Sequence, residues 1–404
     1  MTEDARSGPS QRFARPLFLA GCSAILAVVG AVFADDHPAS ALELSVAGDE
    51  TIVFDTVTDA CDNSHLPDAP ARAFRNDAGK MVLFAPNFRN RAFVGDDLDS
   101  LQKDCRSRFM AAGKADPDML DDRTWLHAIY TDDGKNVYAF ASASFMPYRH
   151  AMKCRAGDQR TDCWINGLVT LKSTDGGQNF QYQAAPPHHA PFPPPETYRD
   201  DRNNPPSYVT ATNIVRWQGY LYSIVWRREA TWQESRNCLV RAAEDDPSSW
   251  QIWDGQEFRD AARLTDAGWQ VIATDCARIA PYGVTSIRGL IHHEGTNSFI
   301  AVYQHRRKID GGGSERGIYY STSDDLIDWS MPKQLMAANL KPDAGPGDPY
   351  ISYPSLMDQD STDRMYGTMD DDASLLFVRF RPVREGGKWA MTRQLVRVPI
   401  RVSN

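Results

Sequence analysis

Three aspartates stand at positions where a carboxylate could take part in a reaction. Asp68 lies between Pro67 and Pro70, and Asp122 and Asp348 each precede a run of strand-forming residues. A pair of carboxyl groups can supply the acid, base or nucleophile that cleaves a glycosidic bond. We therefore take Asp68, Asp122 and Asp348 as the candidate catalytic residues.

A second set of side chains occurs in or beside the same kind of strand. The set combines guanidinium groups, an imidazole, an amide and aromatic rings. Such groups hold sugar hydroxyls, and aromatic faces stack on the C–H surface of a pyranose. The candidate substrate-binding residues are Arg72, Trp125, His127, Asn213, Arg288 and Tyr353.

These residues lie far apart in the chain, so a repeated fold must bring them together. A strand, a turn with Gly or Asp and an aromatic-rich strand recur at 73–84 and 126–140, around Gly219 and Gly295, and in a degenerate form at 350–378. Every copy except the first is followed by a second hairpin. Five copies of two hairpins predict an all-β fold, a five-bladed β-propeller of four-stranded antiparallel blades. A β-sandwich is the alternative.

A propeller would place the start of each innermost strand at a central funnel. Each blade then offers one or two polar residues to a common site, although the blades are distant in sequence. The candidates named above come from all five predicted blades. The funnel is therefore the predicted site.

Two turns have a sequence that predicts a structural role for their acids. They are STDGGQNF at 173–180 and STSDDLIDW at 321–329. A Ser or Asp side chain in such a turn accepts backbone N–H bonds, while the aromatic residue closes the hairpin. We expect Asp175 and Asp324 to stabilise turns and not to contact a ligand.

The N-terminal segment 1–34 reads as a secretory signal peptide. Arg12 and Arg15 precede an apolar run, which ends in small residues at Ala34. A retained membrane anchor is the main alternative, and Leu19–Cys22 also resembles a site of lipid attachment. We expect cleavage after Ala34, a single propeller domain over 35–404, and a secreted, periplasmic or cell-surface protein without stable membrane insertion.

The cysteines support export. Apart from Cys22 there are six, an even number that indicates three disulfides outside the cytosol. Proximity along the chain favours the pairs Cys61–Cys105, Cys154–Cys163 and Cys238–Cys276.

Charge and motifs restrict the partners. The net charge of −9 argues against binding to nucleic acid. The pair His188–His189 lies in a proline-rich segment, and His292–His293 lies on a predicted strand, where neighbouring side chains point to opposite faces, so neither pair favours a metal site. We predict a carbohydrate partner, no metal and no cofactor.

Several short motifs resemble the five-bladed glycoside hydrolase clan that includes arabinanases, xylosidases and invertases. They are PDAPARAF at 67–74, YSTSDDLIDWS at 320–330 and YPSLMD at 353–358. The resemblance implies an exported hydrolase of poly- or oligosaccharides that uses an aspartate base or nucleophile (Asp68), a second aspartate that tunes the pKa (Asp122) and a glutamate acid. The third inner strand contains no glutamate, so Glu229, Glu234 or Glu294 would have to fold back from a loop.

Two other interpretations remain open. The turn at 173–180 resembles the Asp box of sialidases, which clamp a carboxylate with arginines and use a tyrosine nucleophile. That resemblance implies an exo-glycosidase in which Arg72 and Arg288 bind the substrate and Tyr353 attacks it. A propeller that binds glycans without cleaving them is the third interpretation.

Overall fold

The computed structural model describes residues 42–155, 163–261, 275–280, 284–309, 311–341, 344–345, 347–386 and 388–403. All of them belong to one compact unit that begins at Ala41. The predicted signal peptide and Cys22 lie outside the described residues. Within the described ranges, no helix is both long and apolar enough to cross a membrane.

The described residues form 24 β-strands and two short 3-10 helices, Pro117–Met119 and Pro147–His150. In chain order the strands are β1 (Glu43–Val46), β2 (Thr51–Asp55), β3 (Arg72–Arg75), β4 (Met81–Phe84), β5 (Ala92–Gly95), β6 (Gln102–Lys103), β7 (Arg123–Tyr130), β8 (Val137–Phe145), β9 (Ile165–Ser173), β10 (Gln181–Tyr182), β11 (Ser207–Ala211), β12 (Val215–Trp217), β13 (Tyr220–Arg228), β14 (Arg236–Ala243), β15 (Asp246–Trp253), β16 (Phe258–Asp260), β17 (Ile287–His293), β18 (Ser298–Lys308), β19 (Ser314–Ser323), β20 (Lys333–Ala337), β21 (Tyr350–Met357), β22 (Thr368–Met369), β23 (Asp372–Glu385) and β24 (Lys388–Ser403).

The strands form five separate sheets, which are the blades of the predicted propeller. Blade 1 has the order β3-β4-β5-β6 and blade 2 the order β7-β8-β9-β10. Blade 3 runs from β11 and β12 through β13, β14 and β15 to β16, and blade 4 from β17 to β20. Each of these blades is built from consecutive strands, and blade 4 gains the short β22, which pairs in parallel with β17. The five-bladed all-β prediction is confirmed.

Blade 5 is closed by strands from both ends of the described chain. Its inner strands are β21, β23 and β24, and β1 and β2 pair with the outer edge of β24. The register places Glu43 opposite Ser403 and Thr51 opposite Arg397. Pairing the first strands with the last joins the ends of the ring and covers a strand edge that would otherwise be open.

Apolar clusters lie between neighbouring blades. One joins Phe74 and Phe84 of blade 1 to Leu126 of blade 2, and equivalent clusters join each later pair, including blades 5 and 1. Both faces of a blade are covered, which explains why β4 is buried at every residue. Burial of one Leu or Phe side chain contributes about 1.5–3 kcal/mol.

Three buried asparagines connect blades by hydrogen bonds. Asn90 accepts from the N–H of Leu126 at 2.8 Å, and Asn237 accepts from the N–H of Ile287 at 2.9 Å. Asn213 accepts from the N–H of Leu290 at 2.9 Å and donates to the carbonyl of the same residue. The Asn213 amide thus forms the two hydrogen bonds with Leu290 that a residue of a neighbouring strand would form. The predicted sugar contact of Asn213 would have to compete with this pairing.

The two acid-containing turns differ in which acid accepts the backbone bonds. Asp175 accepts from the N–H groups of Gln178 and Asn179, both at 3.0 Å. In the second turn Asp325 has this role, whereas Asp324 accepts from the Ser298 hydroxyl at 2.7 Å. The expectation that Asp324 supports its own turn is corrected, because Asp324 connects the turn to β18.

The three predicted disulfides are present. They join Cys61 to Cys105, Cys154 to Cys163 and Cys238 to Cys276. Cys238 and Cys276 are both buried.

We expect all six of these cysteines to be oxidised, so thiol titration after unfolding without reductant should detect no free thiol among them. Each disulfide that is lost should destabilise the fold by about 2–5 kcal/mol. Two or more free thiols among the six would contradict the prediction.

Candidate functional site

The guanidinium of Arg72 lies at the centre of the ring, where it contacts the inner strands of other blades. Its Nε donates to the carbonyl of His127 at 2.7 Å, and its Nη1 donates to the carbonyl of Ala71 at 2.9 Å. Its Nη2 donates to the carbonyls of Ala211, at 3.4 Å, and Arg288. One side chain of blade 1 thereby bonds to blades 2, 3 and 4.

This position leaves Arg72 little capacity for a ligand. Four of its five N–H groups are oriented toward backbone carbonyls, and the residue is 3% exposed. Burial, together with the nearby charge of Arg288, lowers the pKa of Arg72 to about 9. The predicted role in substrate binding would require these bonds to break.

The inner strands of blades 2, 3, 4 and 5 each contain a register shift. The shifts fall at His127 in β7, Val209 in β11, Arg288 in β17 and Tyr353–Pro354 in β21. A bulge of this kind redirects a side chain and occurs often beside functional sites. Three of the four bulges therefore carry a residue that the sequence named for the funnel.

Asp68 precedes β3 of blade 1, and its carboxylate contacts two strands of blade 5. It forms an ion pair with Arg393 of β24 and accepts a hydrogen bond from the Tyr353 hydroxyl at 3.3 Å. Its side chain keeps 24% of its surface exposed. Burial raises the pKa of Asp68. The charge of Arg393 and hydrogen bonds from Arg393, Tyr353 and Trp125 act in the opposite direction and limit this rise.

Tyr353 makes its contact with Asp68 from a strained backbone conformation. Its φ of 58° lies in the left-handed region, which a bulky residue rarely adopts. The ring lies under the Arg288 guanidinium, with 5.6 Å between Cζ and the ring centroid. Burial and the nearby Asp68 raise the pKa of Tyr353, so the hydroxyl stays protonated and donates to Asp68.

His127 is neutral in this setting. Burial and the charges of Arg72 and Arg288 lower the pKa of His127 well below its usual value. Its Nδ1 lies 3.2 Å from the Thr210 hydroxyl of blade 3, and the residue is 6% exposed. The imidazole therefore joins β7 of blade 2 to β11 of blade 3.

The other two predicted catalytic aspartates lie in different surroundings. Asp122 is buried, forms an ion pair with Arg149, lies 3.0 Å from His150 Nε2 and accepts from the N–H of Met146 at 3.0 Å. Asp348 is exposed and accepts from the N–H of Gly345 in its own turn at 3.1 Å. Within the described residues, neither Asp122 nor Asp348 shares a hydrogen-bonding partner with Asp68.

A cleft of about 590 Å³ opens beside Arg288, between blades 3 and 4. Trp226 and Trp232 form one wall, with ring centroids 5.5 Å apart. Gln304 and Arg288 also line the cleft. Two neighbouring indole rings beside hydrogen-bonding groups suit a sugar ring.

Sequence reasoning did not find Arg393, Trp226 or Trp232. Arg393 lies on the last strand and reaches Asp68 only because blade 5 closes against blade 1. Trp226 lies near the end of β13, a second strand, whereas the search used the innermost strands. The sequence could have indicated Trp226, because the second strand of a blade runs antiparallel to the inner strand. Its last residues therefore lie beside the first residues of the inner strand, as Arg228 lies beside Ser207.

Glu229, one of the three glutamates considered as an acid, follows β13 on this face. Its carboxylate lies 2.6 Å from Arg227 Nε and 3.8 Å from Arg236 Nη2. Glu229 is therefore held by two arginines of the same blade.

No family model and no curated protein matches the chain. Among solved structures, the α-L-arabinanase of Cellvibrio cellulosa complexed with arabinohexaose aligns over 82% of this chain and 95% of its own, with a TM-score of 0.44 and 10% identity. The sucrose-6-phosphate hydrolase of Lactobacillus gasseri aligns over 82% and 58%, with a TM-score of 0.44 and 13% identity. The α-L-arabinanase of Penicillium chrysogenum complexed with arabinobiose aligns over 85% and 84%, with a TM-score of 0.39 and 10% identity.

We predict that Arg72→Met destabilises the fold by at least about 3 kcal/mol, because it leaves buried carbonyls of several blades without a donor. Arg307→Met is the control, since Arg307 is exposed and forms an ion pair with Glu315 at the surface. Urea unfolding curves of both variants provide the measurement. An Arg72→Met variant as stable as the control would contradict the role of Arg72 in joining the blades.

Proposed function

We propose that this protein is an exported glycoside hydrolase that acts on a poly- or oligosaccharide, with Asp68 as its base or nucleophile. The observation that carries the proposal is a partly exposed carboxylate that is held by Arg393 and Tyr353 where blades 1 and 5 meet. The tryptophan-lined cleft beside Arg288 offers a surface for a sugar, and Arg288 lies over the ring of Tyr353, the partner of Asp68. The three disulfides support export, since such bonds persist in oxidising compartments.

The contacts of Asp68 determine its chemical role. Arg393 favours the ionised carboxylate, and the Tyr353 hydroxyl donates to the same oxygen atom, Oδ1. Trp125 also hydrogen-bonds to this carboxylate, so three side chains fix its orientation toward an attacking water molecule or an anomeric carbon. A raised pKa makes Asp68 a better proton acceptor than a solvated aspartate.

Tyr353 supports a second candidate, a sialidase-like exo-glycosidase. Its hydroxyl is bonded to a carboxylate and its ring lies against Arg288, which is the setting expected for a tyrosine nucleophile activated by a base. In this case Asp68 would accept the Tyr353 proton. Tyr353→Phe distinguishes the two candidates, because it would abolish turnover only if the tyrosine attacks the sugar.

Asp68→Asn should lower kcat on any glycan that the wild type cleaves by at least about 10²-fold, because the amide cannot accept the proton or attack. Asp96→Asn is the matched control, since Asp96 lies on the same blade but is exposed and paired with Lys80. Release of reducing sugar from a glycan panel is the readout. Near-full activity in Asp68→Asn would contradict the assignment, and a wild type that binds glycans but cleaves none would leave only the binding interpretation.

The pH profile provides a separate prediction. Because the pKa of Asp68 is raised in the fold, its ionised form is lost at a higher pH than for an ordinary aspartate. A base must be ionised, so kcat/KM should rise with pH through a limb that lies above pH 3.8. If Asp68 instead acts as an acid, activity should fall over the same range.

A further inference from the structure

We propose that Arg393 is a positioning residue for the reaction, because it fixes the carboxylate of Asp68 while the ring-closing strand β2 fixes Arg393 itself. The inference rests on the proposed function, since Arg393 acts through Asp68 in the same site. The supporting observations are the contacts of the Arg393 side chain, the contacts of its backbone and the charges around Asp68.

The Arg393 side chain contacts an aromatic ring of its own blade and the segment that precedes β3. Its Nη1 donates to the Pro67 carbonyl at 2.9 Å and forms the ion pair with Asp68. Its Cζ lies 4.6 Å from the centroid of the Phe380 ring, which is buried. A guanidinium over an aromatic face is attracted by the charge distribution of the ring. The Asp68 carboxylate therefore has a partner whose own head group is fixed by further contacts.

The backbone of Arg393 is held by the residue that follows β2. Its carbonyl accepts from the N–H of Thr56 at 3.0 Å, and its N–H donates to the Thr56 hydroxyl at 2.9 Å. The next residue, Gln394, is 2% exposed and donates to the carboxylate of Asp55 at 2.6 Å. The segment from Asp55 to Asp68 thus contacts Arg393 near both of its ends. Displacing β2 from β24 would release the two bonds that fix the Arg393 backbone.

Four side chains from three strands interact with the Asp68 carboxylate, and Arg393 of β24 supplies the positive charge among them. Tyr353 and Tyr350 approach from β21, and Trp125 donates a hydrogen bond from β7. Burial raises the pKa of both tyrosines, so they are neutral near pH 7. Burial also raises the pKa of Asp68, and the charge and hydrogen bond of Arg393 oppose this rise.

Arg288 of β17 is a second cation near this site. Its guanidinium lies over the ring of Tyr353, with 5.6 Å between Cζ and the ring centroid, whereas the ion pair of Asp68 is with Arg393. Loss of Arg393 should therefore favour the protonated Asp68 carboxyl group, which cannot act as a base or a nucleophile. A lysine at position 393 would keep the charge but not the planar guanidinium.

The first measurement is a titration of Asp68 that needs no substrate. NMR of protein with ¹³C in its aspartate carboxyl groups follows the ionisation, and Asp68→Asn identifies the signal. The Asp68 midpoint should move to higher pH in Arg393→Met and stay closer to the wild-type value in Arg393→Lys. Arg397→Met is the matched control, since Arg397 lies on the same strand and pairs with the exposed Asp99. An Asp68 midpoint that does not move in Arg393→Met would overturn the inference.

Thr56→Val tests the part of the proposal that concerns β2. It removes the hydroxyl that accepts from the Arg393 N–H and leaves both groups of the ion pair in place. The Asp68 midpoint should move in the same direction as in Arg393→Met, but less far. This variant and Arg393→Lys also provide the test if Arg393→Met does not fold. A midpoint equal to that of the wild type in Thr56→Val would overturn the role of β2.

Kinetics connect the titration to the reaction. On the acidic limb of the pH profile, kcat/KM of Arg393→Met should fall at least about tenfold, because an adjacent opposite charge changes a carboxyl ionisation constant by about that factor or more. An unshifted limb in Arg393→Met, with Asp68→Asn inactive, would overturn the inference and leave the hydrolase proposal standing. A wild type that cleaves no glycan, with the NMR shift present, would overturn the hydrolase proposal and leave the effect of Arg393 on Asp68.

Discussion

The hydrogen bonds of Arg72 determine how the centre of this propeller is built. One guanidinium from blade 1 is shared among carbonyls on the inner strands of blades 2, 3 and 4, so these strands must approach the axis to within the length of one side chain. Blade 5 joins the ring at the same level, where Arg393 and Tyr353 meet Asp68 of blade 1. The residue proposed for catalysis therefore also lies at the contact between the first and last blades.

The position of Asp68, both in the proposed site and at the contact between blades 1 and 5, explains why the backbone around it is strained. Four inner strands are bulged near the funnel, and Tyr353 adopts a left-handed conformation to direct its hydroxyl to Asp68. Such conformations persist only where the surrounding structure holds them, and they are concentrated at functional sites. Here the apolar clusters between blades and the asparagine bonds supply that support. The rigid ring fixes the funnel, and the bulges set the direction of individual side chains.

The sequence predicted the architecture more fully than the site. Turn chemistry repeats at each blade, so the five copies and the three disulfide pairs were visible in the chain. The closure by β1 and β2 was not, because these strands have no neighbouring copy and pair with residues at the other end of the sequence. The structure brings the predicted residues Asp68 and Arg288 to either side of Tyr353, because a propeller brings the innermost strands together. Arg393 was missed because its contact depends on ring closure, and the carbonyl bonds of Arg72 depend on distances that a sequence does not give.

The central claim is that a glycan binds and reacts against Asp68, where blades 1 and 5 meet. A crystal structure of the Asp68→Asn variant with a bound oligosaccharide tests it most directly, because this variant should bind the sugar without cleaving it. The account predicts a sugar ring beside Trp226 or Trp232, with a sugar atom or the attacking water within hydrogen-bond distance of residue 68. Sugar bound instead in the cavity of about 750 Å³ lined by Tyr220 and Trp250, with the funnel free of ligand, would contradict it.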